Sequence, residues 1–179
     1  MRAVVRLRVP MLALLALLVL GLPALGQDAA LTTVTMGDGS SVLLRSWQVV
    51  YDVQTWPRGQ PPSLSGSQSV PASELWSGKK RYPLAGHVLE PVPGFGGFNR
   101  EVKLQAAGGK LQTVRLEQPV RELLTPALDK NVLSMARSID LVGETLTGTR
   151  RSFCLLSFTA LVACPTEPEN RVAKVEFAP

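Results

Sequence analysis

The feature that most constrains this chain is a turn, Gly37-Asp38-Gly39-Ser40, set between two segments of alternating apolar residues. An Asp-Gly pair is a strong hairpin signal, because tight hairpin turns need positive φ at positions where only Gly, Asn or Asp sit comfortably. A two-residue loop on Asp38-Gly39 places Val34 opposite Leu43. In the second segment Leu43, Trp47, Val49, Tyr51 and Val53 are all odd-numbered, with Arg45 as the interruption, so they share one face of a strand. That face is read as core, and Trp47 and Tyr51 as packing residues rather than a sugar-stacking platform.

Similar grammar recurs downstream. Glu101 to Glu117 reads as a second hairpin through Gly108-Gly109. A two-residue loop there would mix apolar and polar faces, whereas a three-residue Gly108-Gly109-Lys110 turn pairs Leu104 with Val114 and Val102 with Leu116, as burial requires. A third turn is expected at Gly143-Glu144, between Ser138 to Val142 and Thr145 to Thr147. An apolar stretch from Phe153 and a closing strand from Arg171 to Phe177 complete the pattern. No fixed period separates the copies, so this is not a repeat array. Glu74 to Val92 reads as one or two short strands, which Pro83, Pro91 and Pro93 assign to edges. Thr125-Pro126 resembles a helix start, and Leu124, Leu128, Val132 and Met135 at helical spacing predict a short helix near 125 to 136. Residues 55–73, between the first hairpin and Glu74, are rich in Pro, Gly, Ser and Gln and read as a long surface loop. The expected fold is mainly β, one antiparallel sandwich or small, partly open barrel with at most one short helix.

The first 26 residues read as an export signal. Arg2, Arg6 and Arg8 precede an apolar run from Met11 to Leu22, Pro23 breaks it, and Ala24-Leu25-Gly26 sets small residues before a cut at Gln27. That run is shorter than the roughly 20 residues of a membrane-spanning helix, so no stable span is expected after cleavage. Residues 27–179 then form one secreted β-rich domain, of ordinary size for a single core. The leader carries three of the 19 basic residues and none of the 14 acidic ones, so processing removes more than half of the +5 net charge. What remains is scattered, and a nucleic-acid partner is not expected. Lys79-Lys80-Arg81 and Arg150-Arg151 read as solvated turns and strand ends.

Cys154 and Cys164 are the only cysteines, a candidate disulfide in an oxidising compartment. Along one straight strand they would stand roughly 33 Å apart, and a bridge needs Cα atoms within about 7 Å. Either the chain reverses near residues 157–160, where no turn residue marks it, or the thiols stay unpaired. The bridge is the favoured alternative.

No catalytic, cofactor or metal motif is legible. His87 is the only histidine; with Glu90 three positions on, it points to the opposite face of a strand, which spoils the two as joint metal ligands. No Gly-x-Ser-x-Gly elbow is present. The stretch Pro93-Gly94-Phe95-Gly96-Gly97-Phe98-Asn99 fails as a dinucleotide loop, because Asn99 stands at the third glycine. It offers instead a loop with two aromatics, Phe95 and Phe98, that either tip a partner-binding surface or fold back over the sheet. Three function classes follow. The first is a non-catalytic binding or assembly component of the bacterial cell envelope, contacting an envelope protein or polysaccharide. The second is a carrier of a small apolar ligand lined by Trp56, Trp76 and Tyr82. The third is a hydrolase built on two converging carboxylates.

Overall fold

The computed structural model describes residues 30–62, 66–127 and 129–179. The leader, its cleavage site and Leu128 lie outside the described residues. The chain is mainly antiparallel β. The first hairpin joins β1 (Thr32–Met36) to β2 (Ser41–Pro57). Its loop has three residues rather than two: Gly39 donates to Met36 O and Met36 to Ser40 O, and Gly39 takes a φ of 86°. Asp38 closes the turn by accepting from the Ser40 amide and hydroxyl at 2.9 and 2.7 Å, which holds its carboxyl below the usual range. Val34 therefore faces Val42, one residue from the expected partner.

The long strand β2 then changes face. Its register against β9 (Val132–Thr145) slips between Leu44 and Ser46, leaving Arg45 as the extra residue of a β-bulge. Leu44 is buried before the bulge, Val49, Tyr51 and Val53 after it, and Leu43 is turned outward. Arg45 was the visible interruption in the alternation. It is the point at which odd and even exchange sides.

The expected loop over residues 55–73 is instead a hairpin. β2 continues through Trp56 to Pro57 as partner of β9, and β3 (Gly66–Ala72) folds back along Val49 to Thr55. Edge pairing runs through the backbone, so a Ser- and Gln-rich strand forms without apolar alternation, and an edge tolerates Pro71. A separate two-stranded sheet, β4 (Glu74–Ser77) with β5 (Lys80–Pro83), turns at Gly78. It lays Trp76 on Tyr51, ring centroids 4.6 Å apart and nearly parallel.

β6 (His87–Pro91), β7 (Glu101–Ala106) and β8 (Gln112–Arg115) follow. The second hairpin has a three-residue loop as expected, but over Ala107 to Gly109, pairing Val102 with Val114 and Leu104 with Gln112. The slip is two residues, so faces are kept and Val102, Leu104, Val114 and Leu116 are all buried. The expected helix near 125 to 136 is absent: a single turn, α1 (Arg121–Leu124), ends at Thr125, and Val132 and Met135 belong to β9. Pairing with Leu44 to Pro57 of β2 outweighs a weak helical spacing. The third turn lies at Leu146 to Gly148, not Gly143-Glu144, with Gly148 at φ 82° and the same hydrogen bonds as the first. Gly143 sits inside β9 because a Cβ there would come within 2.6 Å of Leu44 Cδ1 and the Ser46 carbonyl beside the bulge.

β10 (Arg150–Ser157) and β11 (Val172–Glu176) complete a sheet ordered β10-β9-β2-β1-β11-β6-β7-β8, with β3 added to β2. The sheet coils around a core that includes Tyr51, Leu89, Ile139, Leu141 and Phe158. It does not close into a barrel; an isolated bridge joins Asn99, just before β7, to Ser157, the last residue of β10. The candidate site lies at that bridge. No helix among the described residues is long and apolar enough to cross a membrane.

Candidate interaction site

Pro91 and Pro93 end the β6 ladder, since neither can donate to it, and the chain leaves the sheet as a loop whose base is held by Val92 N to Glu101 O at 2.9 Å. The loop is a single 3-10 turn, Phe95–Gly97, with Gly96 and Gly97 at φ 59° and 76°. Its glycines are required by space as well as by φ. A Cβ on Gly94 would collide with the Phe98 carbonyl, and one on Gly97 with the Cys164 carbonyl.

Behind the loop stands the disulfide. Cys154 on β10 is bridged to Cys164, Cα atoms 5.4 Å apart, which the chain achieves by reversing after Ser157 through a turn closed by Val162 N to Thr159 O. Cys164 N in turn donates to Gly97 O at 3.1 Å. On the other side Asn99 is buried and held at both ends of its amide: the nitrogen donates to Leu155 O at 3.2 Å and the side-chain oxygen accepts from Ser157 N at 3.0 Å. Arg100 reaches Phe158 O at 3.1 Å, with its guanidinium 5.1 Å from the Phe98 ring centroid. The loop is thus tied to β10 at Asn99, and to the chain that follows β10 at Arg100 and Gly97.

The two aromatics part company. Phe98 is half-buried under Arg100, whereas Phe95 at the apex is 100% exposed. Leu161, in the turn between the two cysteines, is 85% exposed. Sequence reasoning missed Leu161, because an apolar run without turn residues gives no sign of reversal; the geometry a disulfide demands was the one available signal. Two large apolar side chains therefore project from loops that meet at the Gly97–Cys164 hydrogen bond.

The other sequence candidates fall elsewhere. Trp76 is buried on Tyr51, its indole N–H donating to Glu74 Oε1 at 3.0 Å; Tyr82, opposite Leu75 on the same small sheet, is half-buried against the core. Trp56 lies on the large sheet opposite Leu133. His87 has its Nδ1 3.0 Å from Ala85 O, and Glu90 pairs with Lys103 at 3.9 Å. Two carboxylates do approach each other on the sheet: Asp52 is opposite Ser138 and Asp140 opposite Val50, diagonal neighbours across β2 and β9. Asp52 is taken by Arg137 at 2.7 Å and by the Ser67 hydroxyl at 2.9 Å. Burial, and then the charge of Asp52, push Asp140 up to about 6. Among the described residues no three His, Cys, Asp or Glu cluster as metal ligands. Compared with known proteins, the chain matches no family model, no curated protein and no solved structure.

Proposed function

We propose that this chain is an exported, non-catalytic interaction module of the bacterial cell envelope, which engages a protein partner through Phe95 and Leu161. The observation that carries this reading is the full exposure of Phe95 on a loop tied down by a disulfide, Asn99 and two space-demanding glycines. An apolar ring left in water on a rigid support costs the free monomer and is recovered when a partner covers it. Aromatic anchors of this kind dominate binding energy where they are central to an interface. The space inside the coiled sheet is occupied by side chains such as Tyr51, Leu89 and Ile139, which favours surface contact over enclosure of a ligand between the Trp and Tyr residues. The export part rests on residues 1–26.

The test is in-cell crosslinking of the natively expressed, C-terminally tagged chain beside its Phe95→Ser variant, with the mature N-terminus read from the same sample. The expected result is one reproducible envelope protein recovered with the wild type, reduced about tenfold or more in the variant, at equal thermal stability, and an N-terminus at Gln27. Equal recovery from both contradicts the role of Phe95, and a retained leader contradicts export.

A further inference from the structure

Beside the Phe95 loop, and independent of the partner reading, lies a cleft of about 210 Å³ between Pro91, Pro93, the disulfide and Arg171. A second cavity of about 220 Å³ adjoins it, sharing Pro91, Pro93, Arg171 and Val172. Arg171 is the charged residue among the four they share. Its backbone is held on both sides, N donating to Glu167 O at 2.9 Å and O accepting from Gly37 N at 2.8 Å. Its side chain reaches Gly37, where a Cβ would stand 3.1 Å from Nη2 and 2.9 Å from the Pro168 carbonyl oxygen. Arg45, Arg81 and Arg137 are each paired with a carboxylate. The Arg171 guanidinium, half-buried, has neither an ion pair nor a hydrogen bond to a protein group among the described residues.

The surroundings narrow what such a group would hold. Leu155, Val172, the prolines and the cystine supply the apolar part of the wall, and Asn99, Thr166 and the backbone of Gly94 and Gly97 the polar part. Asn99 turns its amide to Leu155 O and Ser157 N. Of the nearby acids, Glu90 pairs with Lys103 and Glu167 accepts from the Thr166 amide. One unpaired arginine at the edge of a partly apolar cleft suits one carboxylate, which a guanidinium can grip with two parallel N–H bonds; a dianionic phosphate calls for more positive charge than the cleft offers. We propose that this cleft binds a single carboxylate carried on a short apolar stem, with Arg171 as the anion anchor.

The test is an NMR titration of the isotope-labelled protein as isolated, with hexanoate, hexanamide, inorganic phosphate, and the peptide Ala-Ala-Leu with a free or amidated C-terminus. Hexanoate is expected to shift the amides of Gly97, Cys164, Thr166 and Val172, and hexanamide to bind about tenfold or more weakly. Arg171→Gln should lose the same factor, while Arg115→Gln, at a third cavity on the far side of the loop, should lose none. Phe95→Ser should leave hexanoate binding unchanged, which separates this site from the partner surface. Binding of the free peptide that amidation abolishes supports a chain terminus as the natural source; hexanoate binding without peptide binding supports a small acid. Equal affinity for hexanamide, tighter binding of phosphate, or no shift at those amides at millimolar ligand overturns the proposal. The hexanoate and hexanamide comparison needs only the wild type, so it decides even if Arg171→Gln does not fold.

Discussion

Replacing Tyr51 with Phe tests how the small β4–β5 sheet is fastened to the large one. Tyr51 is fully buried on β2, and its hydroxyl accepts from the Trp76 backbone N–H at 2.8 Å while lying 3.4 Å from Glu74 O. Burial pushes its phenol up beyond the ordinary tyrosine range, so the hydroxyl stays neutral and available. The Phe variant keeps the ring and its stack on Trp76 but leaves a buried amide without an acceptor, which costs about 1–3 kcal/mol. The bond toward Glu74 is long and adds little. At about 2–4 °C per kcal/mol for a chain of this size, the melting temperature should fall by roughly 4–8 °C for the middle of that range. Tyr51→Leu should cost at least a further 0.5–1.5 kcal/mol, roughly the value of the aromatic pair. Urea unfolding of the three proteins measures both steps, and equal m-values would show that the change is in stability alone. A Phe variant within about 0.5 kcal/mol of wild type, below the cost of an orphaned amide, would refute this account of the junction.

Two further outcomes follow from local geometry. Gly39 has nothing within 4 Å of where a Cβ would stand, so substitution there reads its positive φ alone: Ala should cost about 1–2 kcal/mol and Val more, and an unchanged melting temperature for Gly39→Val would refute the turn. Asp140 carries a pKa of about 6 in the fold against 3.8 outside it, through burial and then the neighbouring Asp52. A carboxyl raised in this way takes up a proton on folding, so its ionisation removes stability as pH rises from about 4 to about 6. Asp140→Asn should therefore match wild type below pH 4 and exceed it above pH 6, by about 1–2 kcal/mol once solvent access to the carboxylate is allowed for. A gain that is the same at every pH in the unfolding curves would show that charge is not its cause.

What the sequence makes legible is periodicity and turn chemistry. Alternation marks β1, β2, β7 and β8 as half-buried strands, and Gly39 and Gly108 mark reversals because no other residue is comfortable at their φ. In the second hairpin even a two-residue slip preserves the faces, since burial constrains parity more tightly than partner. The failures share a cause, which is that partners distant in the chain decide them. Gly143 looks like a turn residue until Leu44 and the Ser46 carbonyl are seen to fill the space of its missing side chain. Val132 and Met135 fit a helix until β2 supplies a strand to pair with. β3 has no apolar pattern because it is an exposed edge. At the candidate site Phe95 is visible as an aromatic among glycines, whereas Leu161 and the free Arg171 emerge only when the disulfide and the coiling of the sheet bring 91–100, 158–166 and 171–172 together.

The central claim is that Phe95 and Leu161 form one contact surface. The most direct measurement is site-specific photocrosslinking in intact cells, with benzoylphenylalanine placed at position 95, at position 161, and at position 111. Leu111 serves as the control, because it is an exposed apolar residue beside the β7–β8 turn, on a different loop. The account predicts the same single protein adduct from positions 95 and 161 and none from 111. Absence of an adduct at 95, or an indistinguishable set of adducts from all three positions, would contradict it.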